Sequence, residues 1–391
     1  MQLSGGWGGY FGFVGTVGLV FNNFSARNIR HFKKWDPLPS GDGQRFSVNV
    51  QANGQFYQNY SMSFTEPWLG GRKPNALTIS LNRAVQRSGN NTSLFGVSNN
   101  ASLFRLNSVS LNLGKRLRWP DDYFTINYTA NYLLYELKNY PLGSINVPEG
   151  KFNNFNFAIG ISRNSIDQPM YPRRGSSISL STAFTPPYSA FKKDVDYDKL
   201  AFTEKFNFVE YHKWMFDGSW FVKLVGNLVL NTRTHVGFLG SYNPSIKSPF
   251  ERFSLGGSGM TGFSGSFLLG TDFIGLRGYQ DGKVGQLAEP SKQADNGVAF
   301  VKYVTELRFP ISLNPAATIY VVGFAEAGNA YRDMKQYDPF NVYRSTGVGA
   351  RIFMPAFGLI GVDYGWAMDD IKHVTNFGRN AFTFTIGQQI R

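Results

Sequence analysis

Apolar and polar positions along this chain alternate with a period of two, segment after segment. In Phe152 to Arg163, Phe155, Phe157, Ile159 and Ile161 share one face. In Asn75 to Gln86, Leu77, Ile79 and Leu81 do so, and near the end Phe382, Phe384 and Ile386 alternate with Thr383, Thr385 and Gly387. Alternation of this kind, rich in β-branched and aromatic residues, predicts strands. Read in order, it predicts about sixteen of them. The first five are Leu3–Gly9, Phe13–Phe21, Arg45–Asn53, Gln55–Glu66 and Asn75–Gln86. Ala101–Leu117, Tyr123–Tyr135, Phe152–Arg163, Gly175–Phe184, Lys199–Glu210 and Ser219–Asn231 follow. Val298–Phe309, Ala317–Tyr331, Ser345–Met354, Gly358–Trp366 and Ala381–Ile390 complete the set. Asn53-Gly54 is a strong hairpin signal between the third and fourth.

Many of these segments are about ten residues long, the length that crosses a bilayer as a tilted strand. From the fifth strand on, the connections largely alternate. Long ones are expected near 87–100, 136–151, 185–198, 232–297, 332–344 and 367–380, and short ones near 118–122, 211–218, 310–316 and 355–357. Alternating apolar faces with long and short connections predict an all-β fold, a 16-stranded antiparallel transmembrane β-barrel. Closure into a ring removes the unpaired edges that hydrocarbon does not tolerate. A soluble propeller is disfavoured because no blade-length repeat is present.

Composition supports this picture. The 391 residues include 36 Phe, 20 Tyr, 7 Trp and 43 Gly, only 17% charged residues, and no Cys. Thiolate chemistry and disulfides are excluded. The formal net charge of +13 is spread over loops without a compact basic run or a recognition helix, so nucleic acid is not an expected partner. No apolar run is long enough for a transmembrane helix, and Met1-Gln2-Leu3-Ser4-Gly5-Gly6 carries no leader pattern, so an exported chain is expected to be a mature fragment. His31, His212, His235 and His373 lie in no metal-binding or nucleophile context, and Gly256-Gly257-Ser258-Gly259 lacks the Lys of a phosphate loop. No enzyme, metal or cofactor is expected.

The 232–297 segment is far longer than an ordinary connection. It is rich in Phe, Leu and Ile, and it carries Gly275-Leu276-Arg277-Gly278-Tyr279. Leu276-Arg277-Gly278-Tyr279 resembles the (V/I/L)RG(F/Y) motif in the sixth extracellular loop of the BamA family of outer-membrane protein insertases. Phe253-Ser254-Leu255-Gly256-Gly257 resembles that family's approach to the motif. Phe324-Ala325-Glu326-Ala327-Gly328-Asn329, Thr65-Glu66-Pro67-Trp68, Tyr171-Pro172-Arg173-Arg174-Gly175 and the closing Ala381–Gln388 resemble further family segments.

The resemblance implies a loop folded into the lumen. There Arg277 pairs with acids on inward strand positions, Glu326 first, Glu306 second and Asp363 third; an ordinary surface turn is the alternative. Asp272 and Asp281 are expected to satisfy loop backbone groups. The resemblance also implies a lateral seam between the first strand (Ser4, Gly5, Gly6, Trp7, Gly8) and the last (Phe384, Thr385, Ile386, Gly387). At that seam a client strand adds by β-augmentation. Four glycines between Leu3 and Gly9 weaken that edge, although a frayed terminus reads the same way. Expected partners are unfolded outer-membrane protein clients, accessory assembly-complex subunits including lipoproteins, and outer-membrane lipids. The expected location is the bacterial outer membrane. Family members carry POTRA domains before the barrel, and none is read in this sequence. The same motif also suits a two-partner secretion pore, while a passive porin has no need of it. The basic stretch 22–43 reads as a mobile loop, with a partner or lipid headgroups as its other possible uses.

Overall fold

A computed structural model describes residues 2–8, 12–35, 38–53, 57–71, 74–88, 102–142, 145–192, 195–257, 270–280, 282–285, 296–314, 316–354, 358–371 and 380–386. The chain begins with β1 (Gln2–Gly8), β2 (Gly12–Phe24), β3 (Gln44–Asn53), β4 (Tyr57–Glu66), β5 (Asn75–Ser88) and β6 (Ser102–Arg116). Then come β7 (Phe124–Leu142), β8 (Ile145–Asn164), β9 (Gly175–Phe184), β10 (His212–Lys223) and β11 (Val229–Gly240). Two short strands, β12 (Arg252–Leu255) and β13 (Thr271–Ile274), lie within the long loop. The last five are β14 (Ala299–Asn314), β15 (Ala317–Tyr331), β16 (Tyr343–Met354), β17 (Gly358–Ala367) and β18 (Asn380–Ile386).

All but β12 and β13 form one 16-stranded sheet in sequence order, each neighbour pair antiparallel. The sheet curls until Cα atoms of β1 and β18 lie within 8 Å of each other. The fold is the expected β-barrel. Its outward positions are apolar and exposed, as at Val50, Met62, Leu81, Leu111, Tyr128, Phe157, Trp214, Leu307 and Tyr364. Antiparallel order places the β2–β3, β4–β5, β6–β7, β8–β9, β10–β11, β14–β15 and β16–β17 connections at one end, the turn end. The long connections after β5, β9, β11, β15 and β17 leave from the other, the loop end, whereas the long β2–β3 connection lies at the turn end.

Several boundaries differ from the expectation; among them, β14 runs on through Asn314, across most of the expected 310–316 connection. Lys199–Glu210 is not a strand. It holds a short helix, Phe202–Lys205, and its alternation serves inward packing, with Phe206, Val209 and Tyr211 buried in the lumen core. The strand follows at β10, where a short connection was expected. The turn hidden inside the expected eleventh strand is Leu224–Leu228, closed by Leu228 N–H to the Val225 carbonyl at 2.9 Å. Its apolar residues disguise it as strand. As a result β11 runs on to Gly240, and the long loop starts after it, not at 232; inward Arg233 and His235 gave this strand a loop-like composition. Finally, the expected 136–151 loop is a continuation of the β7–β8 hairpin, pairing through Leu142↔Ile145.

The loop is not structureless. β12 and β13 pair in parallel, and bridges Phe253↔Gly297, Leu255↔Val284 and Gly257↔Leu276 fold it back on itself. Its Phe250, Phe253, Leu255, Ile274, Leu276, Tyr279 and Val284 join Phe104, Tyr135, Phe152 and Phe300 from the wall in one buried cluster. Apolar burial of this kind stabilises by ~25 cal/mol per Å², and here it packs the loop against the barrel wall.

Candidate functional site: a loop arginine held in the lumen

β14 turns Lys302, Val304, Glu306 and Arg308 inward, and β15 turns Phe324 and Glu326 inward, because strand side chains alternate faces. Glu306 lies opposite Phe324 in the β14–β15 register, and Val304 opposite Glu326. β17 contributes Asp363. Arg277 descends from the loop into this group with only 2% of its surface exposed.

Its contacts use almost every donor. The backbone N–H donates to Glu326 Oε2 at 2.7 Å and Nε to Glu326 Oε1 at 2.9 Å. Nη2 donates to Glu306 Oε1 at 2.7 Å and lies 2.8 Å from Glu326 Oε1. Nη1 reaches Asp363 Oδ1 at 3.5 Å, the longest contact. The guanidinium carbon sits 3.6 Å from the Phe324 ring centroid, a cation–π stack among buried side chains. The planar five-donor fork of arginine suits such a cage, whereas the point charge of lysine does not. Burial pushes the Arg277 pKa down, but Glu326, Glu306 and Asp363 more than reverse it, so the side chain is firmly cationic.

The acids are shared. Arg308 Nη2 donates to Glu306 Oε2 at 2.6 Å, Arg351 Nη2 lies 2.9 Å from Asp363 Oδ1, and Lys302 Nζ lies 3.4 Å from Glu326 Oε1. Four cations and three carboxylates therefore interlock, which satisfies charges that burial would otherwise penalise.

Gly278 has φ +91°, and a Cβ there would meet the backbone of Trp366, Ala367 and Gly365 at 3.0–3.2 Å. A Cβ on Gly365 would in turn lie 2.6 Å from Gly278 N. The motif main chain thus lies directly on β17, and glycine is required on both sides. Leu276 N–H donates to the Gly257 carbonyl at 2.9 Å and Gly257 N–H to the Tyr279 carbonyl at 3.1 Å, so the Gly-Gly approach is the motif's ladder partner. Tyr279 is buried, and its hydroxyl donates to the Arg344 carbonyl at 2.7 Å.

Sequence reading brought Arg277 together with Glu326, Glu306 and Asp363. It named Phe324 only as part of the segment around Glu326 and did not single out Lys302, Arg308, Arg351 or Gly365. The charged alternation Lys302–Glu306–Arg308 on a membrane-length strand was an available signal, since an ionisable inward face implies internal partners. Asp272 departs from the expectation: it pairs with Lys213 Nζ at 2.7 Å, beside Glu251 at 3.0 Å, because Lys213 is buried and needs counter-charge. Asp281 and Gly387 lie outside the described residues. For Ser4, Gly5, Gly6, Trp7, Gly8, Phe384, Thr385 and Ile386 the backbone is placed: β1 pairs with β2 and β18 with β17.

Below the clamp is a cavity of about 400 Å³ lined by Asp217, Arg233, Lys302, Glu306, Arg308 and Tyr320, among others. The β8–β9 turn enters it from the turn end. Tyr171 packs on Tyr320 at 5.2 Å and donates to the carbonyls of Arg308 and Asn227 at 2.9 and 3.0 Å.

A sixteen-stranded barrel whose lumen is occupied by its own clamped loop is a distinct class of β-barrel, unlike an open channel. The Omp85 superfamily domain matches residues 40–390, and the chain belongs to that superfamily. Among solved structures, BamA from Haemophilus ducreyi lacking POTRA domains 1–3 is similar, with a TM-score of 0.68 at 16% identity over 98% of this chain and 69% of that one. CdiB from Escherichia coli follows with a TM-score of 0.56 at 14% identity over 96% and 59%. CdiB from Acinetobacter baumannii has 0.52 at 11% over 98% and 58%. These likenesses concern the fold, and this chain spans less than two thirds of either CdiB chain. A search of curated protein sequences returns no match.

Proposed function

We propose that this chain is the barrel of an outer-membrane assembly factor, which opens the seam between β1 and β18 and templates the strands of other barrels for insertion. Its partners in this reading are unfolded outer-membrane protein clients, accessory subunits including lipoproteins, and the outer-membrane lipids. No catalytic residue is involved. The observation that carries the proposal is uneven bracing. The Arg277 cage ties the loop to β14, β15 and β17, whereas β1 is glycine-rich and meets β18 at the seam. An edge that parts while the neighbouring strands stay fixed offers main-chain donors and acceptors to an incoming strand. A lumen filled by the loop core argues against a passive porin.

The similarity to CdiB supports a second reading, a two-partner secretion pore in which the loop leaves the lumen for a passing chain. Disulfide locking separates the two. This chain has no cysteine, so pairs introduced between Gly5, Gly6 or Trp7 and Phe384, Thr385 or Ile386 are the only thiols within these 391 residues. In the full protein, an oxidised seam is expected to stop the folding of a urea-denatured barrel client into vesicles, and reduction is expected to restore it. Client folding that is indifferent to the lock overturns the insertase proposal; export of a partner chain that persists across the locked seam supports the pore.

A further inference from the structure

We propose that the turn end of β2–β7 is a binding surface for the anionic headgroups of the adjoining lipid leaflet, so that this flank is anchored by the membrane and the opposite flank by the loop. The proposal rests on the outer-membrane barrel reading but not on the insertase activity.

Three consecutive connections at this end each expose one tryptophan. Trp35 in β2–β3 is 38% exposed, Trp68 in β4–β5 55% and Trp119 in β6–β7 82%. The first, which sequence reads as a mobile loop, has a defined conformation here. It is a folded hook of two 3-10 turns, Arg27–Arg30 and Phe32–Lys34. Ser25 Oγ donates to Asp42 Oδ2 at 2.6 Å, Ala26 N–H to Gln44 Oε1 at 2.7 Å, and Asn28 Nδ2 to the Ser40 carbonyl at 2.8 Å. Gln44 in turn donates to Glu66 Oε2 at 2.7 Å, tying the hook to the next turn. What the hook presents is Phe32 against Trp35, ring centroids 5.2 Å apart, with Arg27, Arg30 and Lys33 exposed around them.

The hook leaves from the end of the outward apolar face. Phe24 packs on Phe46 at 5.2 Å and on Phe64 at 6.1 Å, directly before the hook begins. On β6, the outward row Val109, Leu111, Leu113 ends in Lys115. Between the start of β5 and the end of β6 lies an open groove of about 650 Å³ lined by Lys115, Arg116, Arg118, Trp119 and Asp122, among others. Aromatic rings beside cations, at the border of an apolar band, have the chemistry of a headgroup interface: rings sit at the boundary and the cations meet phosphate. Such cations are drawn to an anionic surface. The continuity of this surface with the lipid-facing wall selects lipid over a protein partner.

The test uses the full protein in vesicles, with one nitroxide at Phe32→Cys or at Trp119→Cys. Power saturation against oxygen and a nickel chelate reports depth. In phosphatidylglycerol–phosphatidylethanolamine vesicles both labels are expected at the headgroup boundary, shielded from nickel. In phosphatidylcholine alone they shift toward water. Arg27→Glu with Arg30→Glu and Lys33→Glu abolishes the dependence at the first label, and Lys115→Glu with Arg118→Glu abolishes it at the second. Heat-modifiable migration confirms that each variant is folded. Labels equally open to nickel in both vesicle types, or a depth unmoved by charge reversal in folded protein, overturn the proposal. Client folding is read separately, so loss of the insertase reading leaves this result standing.

Discussion

Arg277 is the residue on which the lumen depends, and its value comes from being caged on several sides. Arg277→Ala leaves Glu326 and Glu306 short of a partner in a buried site, which typically costs about 3–5 kcal/mol. The folded, heat-modifiable band is therefore expected to disappear at a lower temperature than in Arg173→Ala or Arg174→Ala, whose side chains lie on the turn. Arg277→Lys is expected to fall between, because it keeps charge but loses the fork and the stack on Phe324. Gly365→Ala tests the backbone contact alone: it removes no charge, yet it is expected to expose the loop to protease by lifting Gly278 off β17. At this scale sequence was informative where a motif is contiguous, as at Leu276–Tyr279 and Phe324–Glu326. It was silent on Arg351 and Gly365, whose roles arise only when the barrel wall curves round to meet the loop.

At the scale of elements, the loop is pinned at its far side by the connection after β17. Asp369 accepts from Arg344 at 2.7 Å, and its carbonyl accepts from the Tyr279 hydroxyl at 3.2 Å. The hydrogen bonds from Arg344 hold the Asp369 carboxyl below its ordinary value, against a smaller upward push from burial. The sign follows. A depressed carboxylate adds stability that is present above its unfolded pKa, about 3.9, and is lost as pH falls through the folded value. Loop protection against an acid-active protease is expected to hold at pH 5 and weaken below pH 4, with Asp369→Asn showing little of this pH dependence. Element boundaries were hardest to read where turns are apolar, as at Leu224–Leu228, and where an inward face is charged, as at Arg233. Hydrophobic alternation reports which residues avoid water, and both lipid and a filled lumen satisfy that condition. This is why Lys199–Glu210 resembles a strand.

For the molecule as a whole, the antiparallel barrel was legible because bilayer thickness and closure leave few solutions, and the lumen loop because its motif resembles that of a known family; the count of sixteen held although Lys199–Glu210 is no strand and Ser219–Asn231 joins parts of two. What period and spacing do not carry is the division of labour around the ring. One flank is held from inside by charge, and the other presents tryptophans and cations outward. With loop and Tyr171 both seated, the barrel in a planar bilayer is expected to be nearly non-conducting. Arg277→Ala combined with Tyr171→Ala is expected to produce frequent large openings; a wild-type conductance equal to that of the double variant would show that the lumen is not sealed this way.

The cage also bears on how the chain itself becomes a barrel. Arg277 meets Glu306, Glu326 and Asp363 across separations of 29, 49 and 86 residues. The β1–β18 meeting spans almost the entire sequence. Closing shorter loops costs less entropy and tends to come earlier. The C-terminal hairpins therefore have the means to gather around the loop as a pre-assembled sector while the ring is still open, with the glycine-rich strand arriving last. The seam is then the place where this molecule's own biogenesis ends.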